Sequence, residues 1–226
     1  MANQFSAITI EAYRILLRAK ARELPVAVEA IAAYAAPGVV LASYAEYAAR
    51  TGIDVCELSA SAMPDGFTFA RRQNAHVILY NEQKQKPRRR FTIAHEIGHI
   101  ALKHQKHGSA EEEEANFFAA QLLMPDAVLR FVRDRRQLVT AKFLQDCFGV
   151  SYTAARRKLT YLDHGGFMEA HALDLRVRLC FMDALHNHVP QLLAGYTESE
   201  TVADLFGSEE NLNSLRRAEA AYLDCL

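Results

Sequence analysis

The sequence predicts an α+β fold, mostly helical, with one small sheet over a central helix. Three observations carry that expectation. Residues 91–100 read Phe-Thr-Ile-Ala-His-Glu-Ile-Gly-His-Ile, which places His95 and His99 four positions apart in a helix-forming run. Two β-patterned segments, 66–71 and 76–80, come just before it. Most of the remaining chain carries apolar residues at helical spacing.

Composition bounds the rest. With 226 residues, half of them hydrophobic, the chain suits one domain or one domain with an appendage. The expected division is a metal-binding domain over 1–126 and a helical C-terminal region over 127–226. A net charge of −1 gives no global field towards nucleic acid or membrane. Met1-Ala2-Asn3-Gln4-Phe5 lacks the basic-then-apolar pattern of a signal peptide. No run approaches the roughly 20 apolar residues of a membrane span. Cys56, Cys147, Cys180 and Cys225 form no C-x-x-C pair. They read as buried thiols in a reducing compartment, so a cytoplasmic location is expected.

Taken in order, Thr9 to Glu23 is expected to be helical, ending at Pro25, and Val26 to Ala35 forms a second helix before Pro37-Gly38. Val39 to Arg50 is Ala- and Tyr-rich and reads as a third, closed by Gly52. Ile53 to Leu58 reads as a short strand. Phe67 and Phe69 alternate with Thr68, the pattern of a half-buried strand. His76 to Tyr80 is a continuous apolar run and reads as a more buried one. Pro87 suits the first turn of the next helix, where its missing N–H costs nothing.

After a polar loop, residues 111–114 are four glutamates, which suit the positive end of a helix dipole. Ala115 to Met124 is apolar nearly all round, and Pro125 stops it. Asp126 to Gln137 reads as a helix with a charged face. Thr140 and Ser151 are placed to cap two short helices separated by Gly149, a helix–turn–helix-like element over 140–162. Further helices are expected at Leu173–Leu185, Ser199–Phe206 and Glu210–Leu226.

The chemistry centres on His95-Glu96-Ile97-Gly98-His99, the H-E-x-x-H pattern of zinc-dependent peptide hydrolysis. Four residues of helix are about 40° of rotation and about 6 Å of rise, so both imidazoles can reach one ion. Ile93, Ala94, Ile97, Ile100 and Ala101 form the core-facing stripe; Thr92, His95 and His99 lie opposite, with Glu96 at the edge. Gly98 costs about 1 kcal/mol in a helix interior, and its expected use is close approach of another backbone. Glu96 is the expected general base.

A catalytic zinc takes three protein ligands. Glu114, bordering the buried run, is the leading candidate for the third and Glu111 the second; Glu112 and Glu113 read as a solvated first turn. His104, His107 and Tyr161 are candidate oxyanion donors. The basic run Lys84, Lys86, Arg88, Arg89 and Arg90 reads as a solvated loop and helix start. Arg156, Arg157 and Lys158 offer a possible phosphate contact. With the chain slightly acidic, the helix–turn–helix-like element is expected to pack on the catalytic part or dock a protein rather than bind DNA.

The run RFTIAHEIGHIALKH followed by EEEANFFAAQLLMP resembles the ImmA/IrrE family of metallo-endopeptidases. GFTFARRQNAHVILYNEQKQKPRR before it and FGVSYTAARRKLTYL after it fit the same pattern. The resemblance implies a zincin-like fold with a helix–turn–helix-like appendage. It implies zinc held by His95, His99 and Glu114, with Glu96 catalytic. It also implies a protein substrate, typically a helix–turn–helix repressor controlling mobile-element or stress genes. The competing reading is a DNA- or protein-binding regulator, or an antitoxin-like protein, with a structural zinc site. An intact Glu96 argues against it, because a structural site needs no base.

Overall fold

A short parallel strand pair forms one side of the three-stranded sheet, and its edge strand is one that helical propensity hides. In the computed structural model, which describes residues 2–54, 64–70, 75–105, 108–134, 139–164 and 173–189, β1 is Val40–Ser43 and runs into α3, Tyr44–Thr51. The Ala- and Tyr-rich composition of 39–50 predicts a single helix. Tertiary pairing overrides it: Val40 to Ser43 lie in parallel register with Val77 to Tyr80 of β3, His76–Tyr80. Ser43 is the hinge between the two states. Its Oγ accepts from Glu46 N–H and its own N–H donates to Glu46 Oε2, a capping box that starts α3. Gly52, in the left-handed region at φ 72°, ends it.

β2, Gly66–Ala70, pairs antiparallel with β3, giving the strand order β1-β3-β2. On one face Ala42, Tyr44, Val77 and Leu79 make a cluster, with Tyr47, Phe67 and Phe69 packed against it. Gly66 is on the other face, where the sheet meets α4, Lys86–Ala101. A Cβ at Gly66 would stand 2.5 Å from Thr92 Cγ2 and 2.8 Å from the Leu79 carbonyl oxygen, so only glycine permits this approach. Two strands and the helix that follow them are as the sequence predicts.

Before the sheet come α1, Ala2–Arg18, and α2, Val28–Ile31, which continues as a 3₁₀ turn over Ala32–Tyr34. After α4 come α5, Ser109–Leu123, and α6, Asp126–Asp134. Phe5 of α1 packs its ring 4.7 Å from that of Phe117 of α5, and Tyr13 Oη accepts from the Ala127 N–H at 2.9 Å. Then follow α7, Ala141–Phe148, and α8, Tyr152–Asp163. Thr140 and Ser151 cap them as expected, and Gly149 closes α7 at φ 63°. The expected Leu173–Leu185 helix is two: α9, Asp174–Cys180, and α10, Met182–His188, broken at Phe181, which is fully buried. The chain divides into two units, Met1–Leu185 and His186–Leu226, the first running through the expected boundary at 126 and 127. The expected strand at 53–58 and helices at 199–206 and 210–226 fall largely or wholly outside the described residues.

Two basic residues read as solvated or phosphate-facing are instead buried. Arg90 donates through Nη1 to the Val26 carbonyl at 2.7 Å and through Nη2 to the Phe148 carbonyl at 3.3 Å, tying the metal helix to α7. Lys158 pairs with Asp126 at 2.5 Å with side-chain exposures of only 2% and 1%, so it cannot face phosphate. Burial pushes the Lys158 pKa down, opposed by Asp126. Lys84 and Arg88 pair with Asp65, and Arg156 and Arg157 are exposed as expected. Cys147 is buried, its thiol pushed up to about 12 by burial, and Cys180 is half-buried. No helix among the described residues is long and apolar enough to cross a membrane.

Candidate metal centre

α4 begins with Pro87 in its first turn and buries Ile93, Ala94, Ile97 and Ile100. That fixes the rotation of the helix and turns His95 and His99 to its other side. Their Nε2 atoms face each other at 2.9 Å, with the rings at 73°. Glu96 is buried as well, with 7% exposure.

The third group comes from α5 and depends on how closely the two helices approach. A Cβ on Gly98 would lie 3.0 Å from Phe118 Cδ1 and 3.3 Å from Ala115 Cα. Gly98 therefore serves the close approach expected of it. Glu112 is one turn before Ala115 on the same face of α5. Its Oε2 lies 3.2 Å from His95 Nε2 and its Oε1 3.4 Å from His99 Nε2. Among the described residues, His95, His99 and Glu112 form the one group able to hold a metal ion.

The donor set fits such an ion. Ligands about 2.0–2.1 Å from a tetrahedral zinc lie about 3.3–3.4 Å from one another, close to the separations between Glu112 and the two imidazoles. Burial lowers the pKa of His95, while Glu112 and then Asn116 oppose the shift. The neutral, ligating form of the ring is thus favoured.

Glu114 is elsewhere. It differs from Glu112 by two positions, about 200° around the helix, and its Oε2 meets His104 Nε2 at 3.0 Å. Glu111 folds back over Gly108, where its Oε2 would be 2.5 Å from an added Cβ. Glu113 is exposed, as expected. Glu112, read from sequence as solvated, is the carboxylate at the histidine pair. A run that is apolar all round discloses burial but not phase, so adjacency to it singles out Glu114, which lies on the face of α5 that meets His104. The usable signal was Gly98, which marks the contact face.

The oxyanion candidates separate too. His104 is held between His99 and Glu114. Tyr161 lies beside Asp126, its pKa raised by burial and then by that carboxylate, with its ring against Phe117. His107 is outside the described residues. A cleft of about 870 Å³ opens between α4, α5 and α8, with Thr92, Phe91, Asn116, Phe117, Met124 and Tyr161 in its lining. Asn116 is common to this cleft and to the surroundings of His95.

Comparison with known families returns Peptidase_M78, described as the IrrE N-terminal-like domain, over residues 48–160, half of the chain. The chain belongs to this family. Comparisons with curated proteins and with solved structures return no match. Membership of the IrrE N-terminal-like family makes the protein a metallopeptidase-type chain, and the matched span holds every residue of the metal centre. It also includes β2, β3, α7 and nearly all of α8.

Proposed function

We propose that the protein is a cytosolic zinc-dependent endopeptidase that cuts a regulatory protein, a helix–turn–helix repressor of a mobile element or stress response. The observation that carries this reading is the convergence of His95, His99 and Glu112 beside a buried Glu96. Two imidazoles and one carboxylate are the ligand chemistry of a hydrolytic zinc site. A structural zinc site has four protein ligands, whereas three converge among the described residues and Glu112 stays 43% exposed.

Each residue then has a task. His95 and His99 present neutral Nε2 lone pairs, and Glu112 supplies the negative charge. When bound, zinc supplies Lewis-acid polarisation of the scissile carbonyl and makes water a better nucleophile near neutral pH. Glu96 takes the proton from the attacking water and returns it to the leaving nitrogen. The cleft beside α5 supports binding of an extended substrate segment against Phe91, Phe117 and Met124.

The test uses zinc-loaded protein and candidate repressors, with cleavage followed by mass spectrometry. Wild type should cut one repressor at a defined bond. Glu96→Gln should retain zinc and lose cleavage, by at least about 100-fold for a lost general base. Wild-type cutting by this variant would remove Glu96 from the mechanism.

A further inference from the structure

The way α4 ends places a third histidine, His104, against His99. Lys103 takes the left-handed conformation at φ 58°. Its N–H donates to the Ile100 carbonyl at 3.1 Å, and the His104 N–H donates to the His99 carbonyl at 3.0 Å. These two bonds are a Schellman motif, which brings the side chain two residues past the C-cap, Leu102, back over the last turn of the helix. That position usually makes an apolar contact. Here it makes an imidazole–imidazole one: His104 Nδ1 is 3.0 Å from His99 Nδ1, with the rings at 75°.

His104 continues to α5. Its Nε2 is 3.0 Å from Glu114 Oε2, and the two side chains are 6% and 22% exposed. The donor assignment follows from chemistry. An ionised carboxylate only accepts, so His104 Nε2 carries the hydrogen and donates. In a neutral imidazole the other nitrogen then accepts, so His99 Nδ1–H donates to His104 Nδ1. That leaves the lone pair of His99 on Nε2, the atom facing His95 and Glu112.

We propose that His104 and Glu114 are positioning residues that fix the tautomer and ring orientation of His99 for metal binding. The proposal rests on the metal-centre reading above and adds the supporting chain Glu114–His104–His99. A ligating histidine whose second nitrogen is held in this way loses about 10–100-fold in metal affinity when the support is removed.

The experiment measures zinc affinity by competition with a chromogenic chelator, and His99 tautomer by nitrogen-15 NMR of the metal-free protein. The proteins are wild type, His99→Ala, His104→Phe, Glu114→Ala and Glu114→Gln. His104→Phe and Glu114→Ala should weaken zinc by about 10–100-fold and mix the His99 tautomers. Glu114→Gln, nearly isosteric and half-buried, keeps an acceptor oxygen and should fall between them and wild type. A merely structural role would leave the tautomer of the folded variants unmoved. If wild type and His99→Ala bind zinc equally, the metal reading fails and this proposal with it. If His99→Ala loses zinc while Glu114→Gln and Glu114→Ala match wild type in affinity and tautomer, the metal reading stands and this proposal is overturned.

Discussion

Replacing Gly98 by alanine tests how the metal centre is assembled. The added Cβ would stand 3.0 Å and 3.2 Å from Phe118 Cδ1 and Cγ and 3.3 Å from Ala115 Cα. Carbon atoms pack comfortably at about 3.5–4.0 Å, so the helices must part by roughly half an ångström. Phe118 is fully buried and cannot simply swing away, and Ala115 meets the new methyl with its backbone. Overpacking of this kind costs about 1–3 kcal/mol. Alanine recovers about 1 kcal/mol of helix propensity, so the net destabilisation should be about 0–2 kcal/mol. The metal centre should suffer more. Glu112 moves with α5, and ligand distances tolerate only about 0.2 Å of error. Zinc affinity should fall about tenfold or more, on the scale of other geometric damage to such sites. Chelator competition with parallel thermal unfolding checks this. A Gly98→Ala protein as stable as wild type and with unchanged zinc affinity would refute the reasoning, because Glu112 would then not depend on the close approach.

Glu112→Ala should lose zinc on dialysis against a weak chelator, while Glu113→Ala keeps it; full occupancy in a folded Glu112→Ala protein would sink the ligand assignment. Lys158→Met strands the Asp126 carboxylate in the interior and should cost about 3–5 kcal/mol in urea unfolding, with much of the loss recovered by adding Asp126→Leu. A single variant as stable as wild type would contradict that account. In the metal-free protein, burial holds His95 below its ordinary 6.5, so the unfolded chain takes up a proton that the folded chain resists. The stability contribution is complete above 6.5 and is lost as pH falls below it. Thermal unfolding at stepped pH should show that acid loss, and His95→Asn should flatten it; identical pH slopes would count against the burial argument.

Local signals made much of the fold legible. Thr140, Gly149 and Ser151 mark both ends of a helix pair because caps act through backbone groups within one turn. Phe67, Thr68 and Phe69 betray their strand by alternation. The same kind of signal lies at Ser43 and Glu46, whose capping box places a helix start inside a segment whose composition alone predicts one continuous helix. Val40 to Ser43 itself is a strand only because β3 offers it a parallel partner more than thirty positions later.

By itself the sequence determined that His95 and His99 share a helix face, because helical geometry converts a spacing of four into a common direction. It also determined that Gly98 would be crossed closely, since a helix-interior glycine otherwise only costs stability. Which glutamate arrives was decided by tertiary structure. Four consecutive glutamates have the same charge and the same propensity, and differ only in the angle each makes with a helix that the linear sequence does not position. Packing Ala115 and Phe118 on Gly98 sets that angle, bringing Glu112 to the histidines and sending Glu114 to His104. The burial of Arg90 and Lys158 was decided in the same way, because their partners, Val26, Phe148 and Asp126, lie in other elements of the chain.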